Sequence, residues 1–243
     1  MRFQIGKRRV MALRKTLFTK KTIEMKNEIK DGIVCSSRYN NAKYKVLWVL
    51  KEGNVDEADK NSERDICNEF LNDQHKKDAR AIPTFRKIIY STYGILNPDI
   101  SWLNIPVANK EAYEVIKEIA YVNINKSPGG SVSNENVIRQ KYQKKKNNLL
   151  KQIKDINPQI AIFGGTEQFF PEEDLKSIGW DWNSKDIFYA KAKDSEYEVL
   201  CCSNSKDRLI ICPAHPAYFK VSDKDYCTAI HNAVREWENK NFK

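Results

Sequence analysis

Apolar positions along the chain fall into two patterns, and each predicts a different element. Tyr44 to Leu50 (YKVLWVL) is a short β-branched and aromatic run, nearly continuous in hydrophobicity. That pattern predicts a strand buried on both faces, as in a parallel sheet. Ile119–Ile124 (IAYVNI), Ile160–Phe163 (IAIF) and Leu209–Cys212 (LIIC) read the same way. Between these runs the pattern turns helical. Residues 62–72 and 83–94 read as helices, and Pro83 suits a first turn. Asn134–Ile153 predicts a long helix with Val137, Ile138, Leu149, Leu150 and Ile153 inside and lysines outside. A shorter helical piece follows near 171–177, then a hairpin or edge pair at 186–190 and 197–202. Asp223–Glu238 closes the chain as a helix, with Tyr226, Ile230, Val234 and Trp237 on its apolar face. Residues 9–30 have imperfect periodicity and read as an arm with one or two helical turns.

Strands alternating with helices predict an α/β fold: a three-layer α/β/α sandwich around a central four-stranded parallel sheet, wound right-handedly. With 243 residues, no internal repeat and no long linker, the expectation is a basic arm over 1–34 and one α/β domain over 35–243.

Charge adds a partner class. Residues 1–30 hold ten Lys/Arg against two Asp/Glu, while the whole chain carries only +10. A second basic cluster stands at Arg139, Lys141, Lys144, Lys145 and Lys146. A basic arm and patch on a nearly neutral body point to a polyanion, although lysine runs are also ordinary solvated faces. No apolar run is long enough to cross a bilayer, and the N-terminus lacks the unbroken apolar segment of a secretory signal. The six cysteines form no C-x-x-C pair, so reduced thiols in a cytoplasmic protein are expected, without a metal site.

In doubly wound sheets, ligands bind beyond the carboxyl ends of the strands. Those ends read KEGN, NINKSPGG, GGT and PAHP, with neither a phosphate-binding loop nor a dinucleotide fingerprint. His215 is bracketed by Pro213 and Pro216, which stiffen its backbone; it is either a functional group or a loop histidine capping a carbonyl. Asn123 and Asn125, two apart, face one side, and either can equally close a turn. Glu52 reads as a functional or a surface carboxylate. Gly164 and Gly165 read as a tight turn, His75 (in NDQHKKD) as solvated and His231 as structural.

These strand ends resemble those of the uracil-DNA glycosylase superfamily. AYVNINKSPGG is similar to the family's second strand, where an asparagine reads the base and a lysine-to-proline loop meets the DNA backbone. LLKQIKDINPQIAIFGGT is similar to its helix, proline and glycine-ended strand. PAHPAYF is similar to its His-Pro motif. The likeness spans roughly residues 44–54 and 119–220. It implies that His215 stabilises the leaving base, that Asn123 (or Asn125) reads it, and that Lys126, Ser127, Gly129, Gly130 and the arm hold phosphates. It also implies that Tyr218 or Phe219 fills the gap left by an extruded base. Phe85, in AIPTFRK, is the candidate aromatic face for that base, with core packing as the competing role. Three departures mark a divergent branch. VLKEGN replaces the glycine–acid–x–proline–glycine form of one branch, leaving Glu52 first and Asn54 second as the water-activating residue. That branch's iron–sulfur cysteines have no counterparts, with Ser127 at one such position. Ala217 follows His-Pro, where a serine is usual.

The implied activity is that of a monofunctional DNA glycosylase. It flips a damaged or modified base from single- or double-stranded DNA and hydrolyses its N-glycosidic bond. The setting is base excision repair or defence against phage DNA with modified bases. No cofactor or metal is expected, and a monomer is. Two readings compete: a catalytically inactive DNA- or nucleotide-binding module of the same fold, and an unrelated doubly wound enzyme acting on a small nucleotide.

Overall fold

A computed structural model describes residues 28–54, 63–129, 133–180, 186–204 and 207–241. The strands in chain order are β1 (Gly32–Ile33), β2 (Val46–Asn54), β3 (Ile119–Gly129), β4 (Ile160–Phe163), β5 (Ile187–Lys191), β6 (Glu198–Asn204) and β7 (Arg208–Cys212). The helices are α1 (Ser36–Asn41), α2 (Ile66–Leu71), α3 (Pro83–Leu96), α4 (Glu135–Ile156), α5 (Glu172–Ser177) and α6 (Asp223–Asn241), with a 3₁₀ segment at Glu111–Glu118.

The four apolar runs stand side by side. β2 pairs in parallel with β3 on one side and β4 on the other, and β4 pairs in parallel with β7. The sheet does not stop there, as four strands would. It is mixed and seven-stranded, in the order β1-β3-β2-β4-β7-β6-β5. The β5–β6 hairpin adds antiparallel to β7, and β1 adds antiparallel to β3. The pattern along β5 explains the addition: its residues alternate exposed and buried, as suits an antiparallel edge covered on one face.

Strand alternation divides the core in two. Val46, Trp48, Leu50, Ile119 and Tyr121 point to the face covered by α3, α6 and the 3₁₀ segment. Leu47, Val49, Ala120, Val122 and Ile124 point to the face covered by α4 and α5. Among the described residues no helix is long and apolar enough to cross a membrane.

Three boundaries differ from the sequence pattern. KEGN is strand, not turn, and β3 runs through NKSPG to Gly129. The body also begins before residue 35. Ile29 N–H donates to Lys126 O at 2.6 Å, β1 pairs with β3, and the Asp31 side chain is wholly buried. The rest of the expected arm, residues 1–27, lies outside the described residues.

His231 is structural, as expected. Its Nε2 lies 3.1 Å from Ser91 O, which only accepts, so the ring donates. The ring occupies the space beside Gly94 of α3, where a Cβ would come within 1.7 Å of Cε1. Gly94→Ala should therefore destabilise the protein by about 2 kcal/mol or more, despite the roughly 1 kcal/mol helix propensity it gains. Urea unfolding checks this, and adding His231→Ala to Gly94→Ala should lessen the loss attributable to the alanine.

Candidate functional site

The carboxyl edge of the parallel strands is uneven. β4 ends at Phe163, while β2 and β3 run on as a two-stranded ribbon, pairing Glu52 with Asn125 and, past an irregularity, Asn54 with Gly129. In-register parallel strands put directly opposed residues on one face. Asn125 Nδ2 donates to Glu52 Oε2 at 2.8 Å, Ser127 N–H donates to Asn125 Oδ1 at 3.0 Å, and Lys141 Nζ donates to Ser127 Oγ at 3.1 Å. A relay thus runs from α4 to the carboxylate. Gly129 makes room for it: a Cβ there would lie 2.4 Å from Glu52 Cδ.

One step deeper, opposite Leu50, lies Asn123. It is 0 % exposed, and neither its Nδ2 nor its Oδ1 has a hydrogen-bond partner among the described residues. Burying an amide without partners costs on the order of 1–3 kcal/mol or more. The two asparagines are thereby separated. Asn125 spends both amide ends on Glu52 and Ser127; Asn123 keeps a donor and an acceptor free.

The PAHP loop is seated against the end of β4. Gly165, at φ +64, donates its N–H to Pro213 O at 2.9 Å, and a Cβ on it would lie 3.0 Å from His215 N. The glycine pair is thus a turn and also the seat of this loop. Tyr226 Oη donates to Ala214 O at 2.9 Å, and Tyr197 Oη accepts from Ala214 N–H at 3.0 Å. Buried Lys87 donates to Tyr218 O at 2.7 Å and Val221 O at 2.9 Å. Ala217 N–H donates to His215 Nδ1 at 3.1 Å, which leaves the ring's proton on Nε2. Burial, with Lys51 and Lys87 nearby, pushes the His215 pKa down to about 4. At neutral pH His215 is therefore an uncharged donor. β4 alone separates its strand from that of Glu52. The His215 backbone is folded over the end of β4, where Gly165 seats it.

Several predicted residues lie elsewhere or are occupied. Lys126, expected to meet a phosphate, points inward: its Nζ bonds Asp31 Oδ1 at 2.5 Å and Gln152 Oε1 at 2.9 Å, and burial lowers its pKa. Alternation past Asn125 and the buried carboxylate of Asp31 account for this. Phe85 is partly buried and packs edge-on to Phe70, 5.4 Å between centroids. His75 is not simply solvated; it lies 5.0 Å from Phe85 and bonds Glu69 at 2.7 Å. Of the basic cluster, Lys145 is paired with Glu28 and Lys146 with Asp174. Tyr218 and Phe219 are exposed, 41 % and 85 %. Gly130 and the Asn54 side chain lie outside the described residues.

The sequence pattern did not single out Lys87, Tyr197 or Asp31, and it marked Tyr226 only as part of an apolar helix face. Lys87 was findable: in a helix starting at Pro83 it falls in one row with Ser91 and Gly94, on the inner face. Surface hollows lined by Ile33, Gln152 and Ile156, and by Arg38, Asn41 and Glu118, lie at the opposite, amino edge of the sheet. Among the described residues no group of three or more His, Cys, Asp or Glu is arranged to hold a metal ion. No protein-family model matches the chain, and no curated protein matches it significantly.

Two pH predictions follow from the histidines. His215 and His231 both titrate near 4 when folded, against 6.5 ordinarily. The unfolded chain binds more protons between those values. Stability should be full above pH 6.5 and fall as pH drops from 6.5 to 4, by up to roughly 3 kcal/mol per ring and least for the partly open His215. Urea midpoints across that range check the sign; a flat or rising profile on acidification contradicts it. Lys87→Gln should move the His215 midpoint upward, read from its imidazole NMR resonances.

Proposed function

We propose that the four parallel strands form a uracil-DNA glycosylase-like core and that the protein excises a damaged or modified base from DNA by hydrolysing its N-glycosidic bond. The observation that carries this reading is His215: a neutral ring, its tautomer set by Ala217 N–H, held on a braced loop at the carboxyl edge of the sheet. Hydrolysis of an N-glycosidic bond builds positive charge on the sugar and negative charge on the departing base. A neutral Nε2–H offers that base a fixed hydrogen bond while the charge develops. Glu52, across the end of β4, orients a water toward the sugar's other face, with Asn125 holding its carboxylate.

Asn123 supplies the donor–acceptor pair that a base edge would satisfy. Reaching it requires the floor of the site to open, since its side chain is sealed. Flipping a base costs a few kcal/mol. Tyr218 and Phe219, exposed beside His215, suit the role of filling the vacated stack. The pinned ammoniums of Lys87 and Lys126 favour water over an amine as nucleophile.

A second reading, a DNA-binding module of the same fold without hydrolysis, draws on the same sealed Asn123 and on the engagement of Glu52 by Asn125. Oligonucleotides bearing uracil, hypoxanthine, thymine mismatches or hypermodified cytosines, scored for abasic sites, separate the two. On the base that is cut, His215→Ala should lower the single-turnover rate about 10²–10³-fold. Asn123→Ala and Gly129→Ala, which displaces the Glu52 carboxylate, should each lower it at least tenfold. Full activity in both His215→Ala and Asn123→Ala would refute the site. DNA binding without abasic sites on any substrate would favour the module.

A further inference from the structure

We propose that the α4 side of the carboxyl edge is a track for the DNA backbone, with Arg139 and Lys141 as its phosphate contacts. The proposal rests on the DNA-directed reading above and assigns the strand's path across that site. The basic cluster of α4 is not uniform. Lys145 and Lys146 are neutralised by Glu28 and Asp174. Among the described residues, the contacts of Arg139 and Lys141 are with uncharged groups: Arg139 lies 5.4 Å over the ring of Phe169, and Lys141 bonds the hydroxyl of Ser127.

Their placement follows from the helix. Ile138 and Tyr142 are buried against the sheet, so residues 139 and 141 fall on the two shoulders of that contact. Arg139 reaches the segment after β4, and Lys141 reaches β3. β2 lies between β3 and β4 in the sheet. Between them Lys51, on β2, pairs with Glu135 at 3.3 Å and lies 6.0 Å over the same Phe169 ring. The track thus passes directly behind Glu52, and Lys141 is joined to that carboxylate through Ser127 and Asn125.

The test is fluorescence anisotropy of the full chain with a labelled duplex oligodeoxynucleotide of ordinary bases, at several KCl concentrations. Each phosphate contact contributes about 0.9 to the slope of log K against log salt. R139Q/K141Q should lower the slope by about 1.8 and weaken binding about tenfold or more at 0.1 M salt. K151Q/K154Q removes the same charge from the other end of α4 and should leave the slope close to wild type. A wild-type slope in R139Q/K141Q, an equal loss in K151Q/K154Q, or no salt-dependent binding by the wild type would each overturn the track. Because no excisable base is present, failure of base excision alone leaves this result standing, so the two proposals fail separately.

Discussion

The register of β2 against β3 is the constraint on which the rest of the site depends. β2 is hydrogen-bonded on both sides, and its pairing sets Leu50 opposite Asn123 and Glu52 opposite Asn125. A slip of one residue would turn Glu52 to the α4 face and separate it from Asn125, because side chains alternate strictly. The apolar pattern of the two strands resists that slip, since each must satisfy a different core on each face. The early end of β4 then opens the edge and leaves Gly164 and Gly165 as the seat for the histidine loop.

Buried charges brace this edge. Lys87 fastens two carbonyls of the loop after His215, and Lys126 fastens β3 to Asp31 and Gln152. Asp31 also accepts the backbone N–H of Asn123 at 2.8 Å, so the residue just before edge strand β1 braces the deepest polar position of the candidate site. Removing one partner of such a buried pair costs several kcal/mol, because the other charge is left uncompensated. Burial, with Lys51 and Lys87 nearby, keeps His215 uncharged at neutral pH.

Much of the fold was legible because buried parallel strands and amphipathic helices leave strong patterns. YKVLWVL, IAYVNI, IAIF and LIIC each became a strand of the parallel core, and the long helix and closing helix stand where their periodicity places them, except that Val137, expected inside, is exposed one position before the buried Ile138. The sequence was weaker where geometry depends on partners distant along the chain. Nothing local marks GI at 32–33 as a strand, since two residues have no period. NKSPG looks like a loop by composition, yet pairing with β2 keeps it extended. Lys126 looks like a surface lysine until Asp31, far away in sequence, is brought beneath it. For the candidate site, His215, Asn123 and Glu52 could be named as candidates from the strand ends. The division of labour between Asn123 and Asn125 could not, because it depends on which amide finds partners in three dimensions.

The central claim is that one extruded base meets both His215 and Asn123. The most direct measurement is an NMR titration with an abasic-site oligonucleotide plus a panel of free nucleobases, following the His215 Nε2–H and the Asn123 side-chain amide. We expect both resonances to move together, with one midpoint, for the base that the protein recognises. Movement of one group without the other, for every base bound, would contradict a shared pocket.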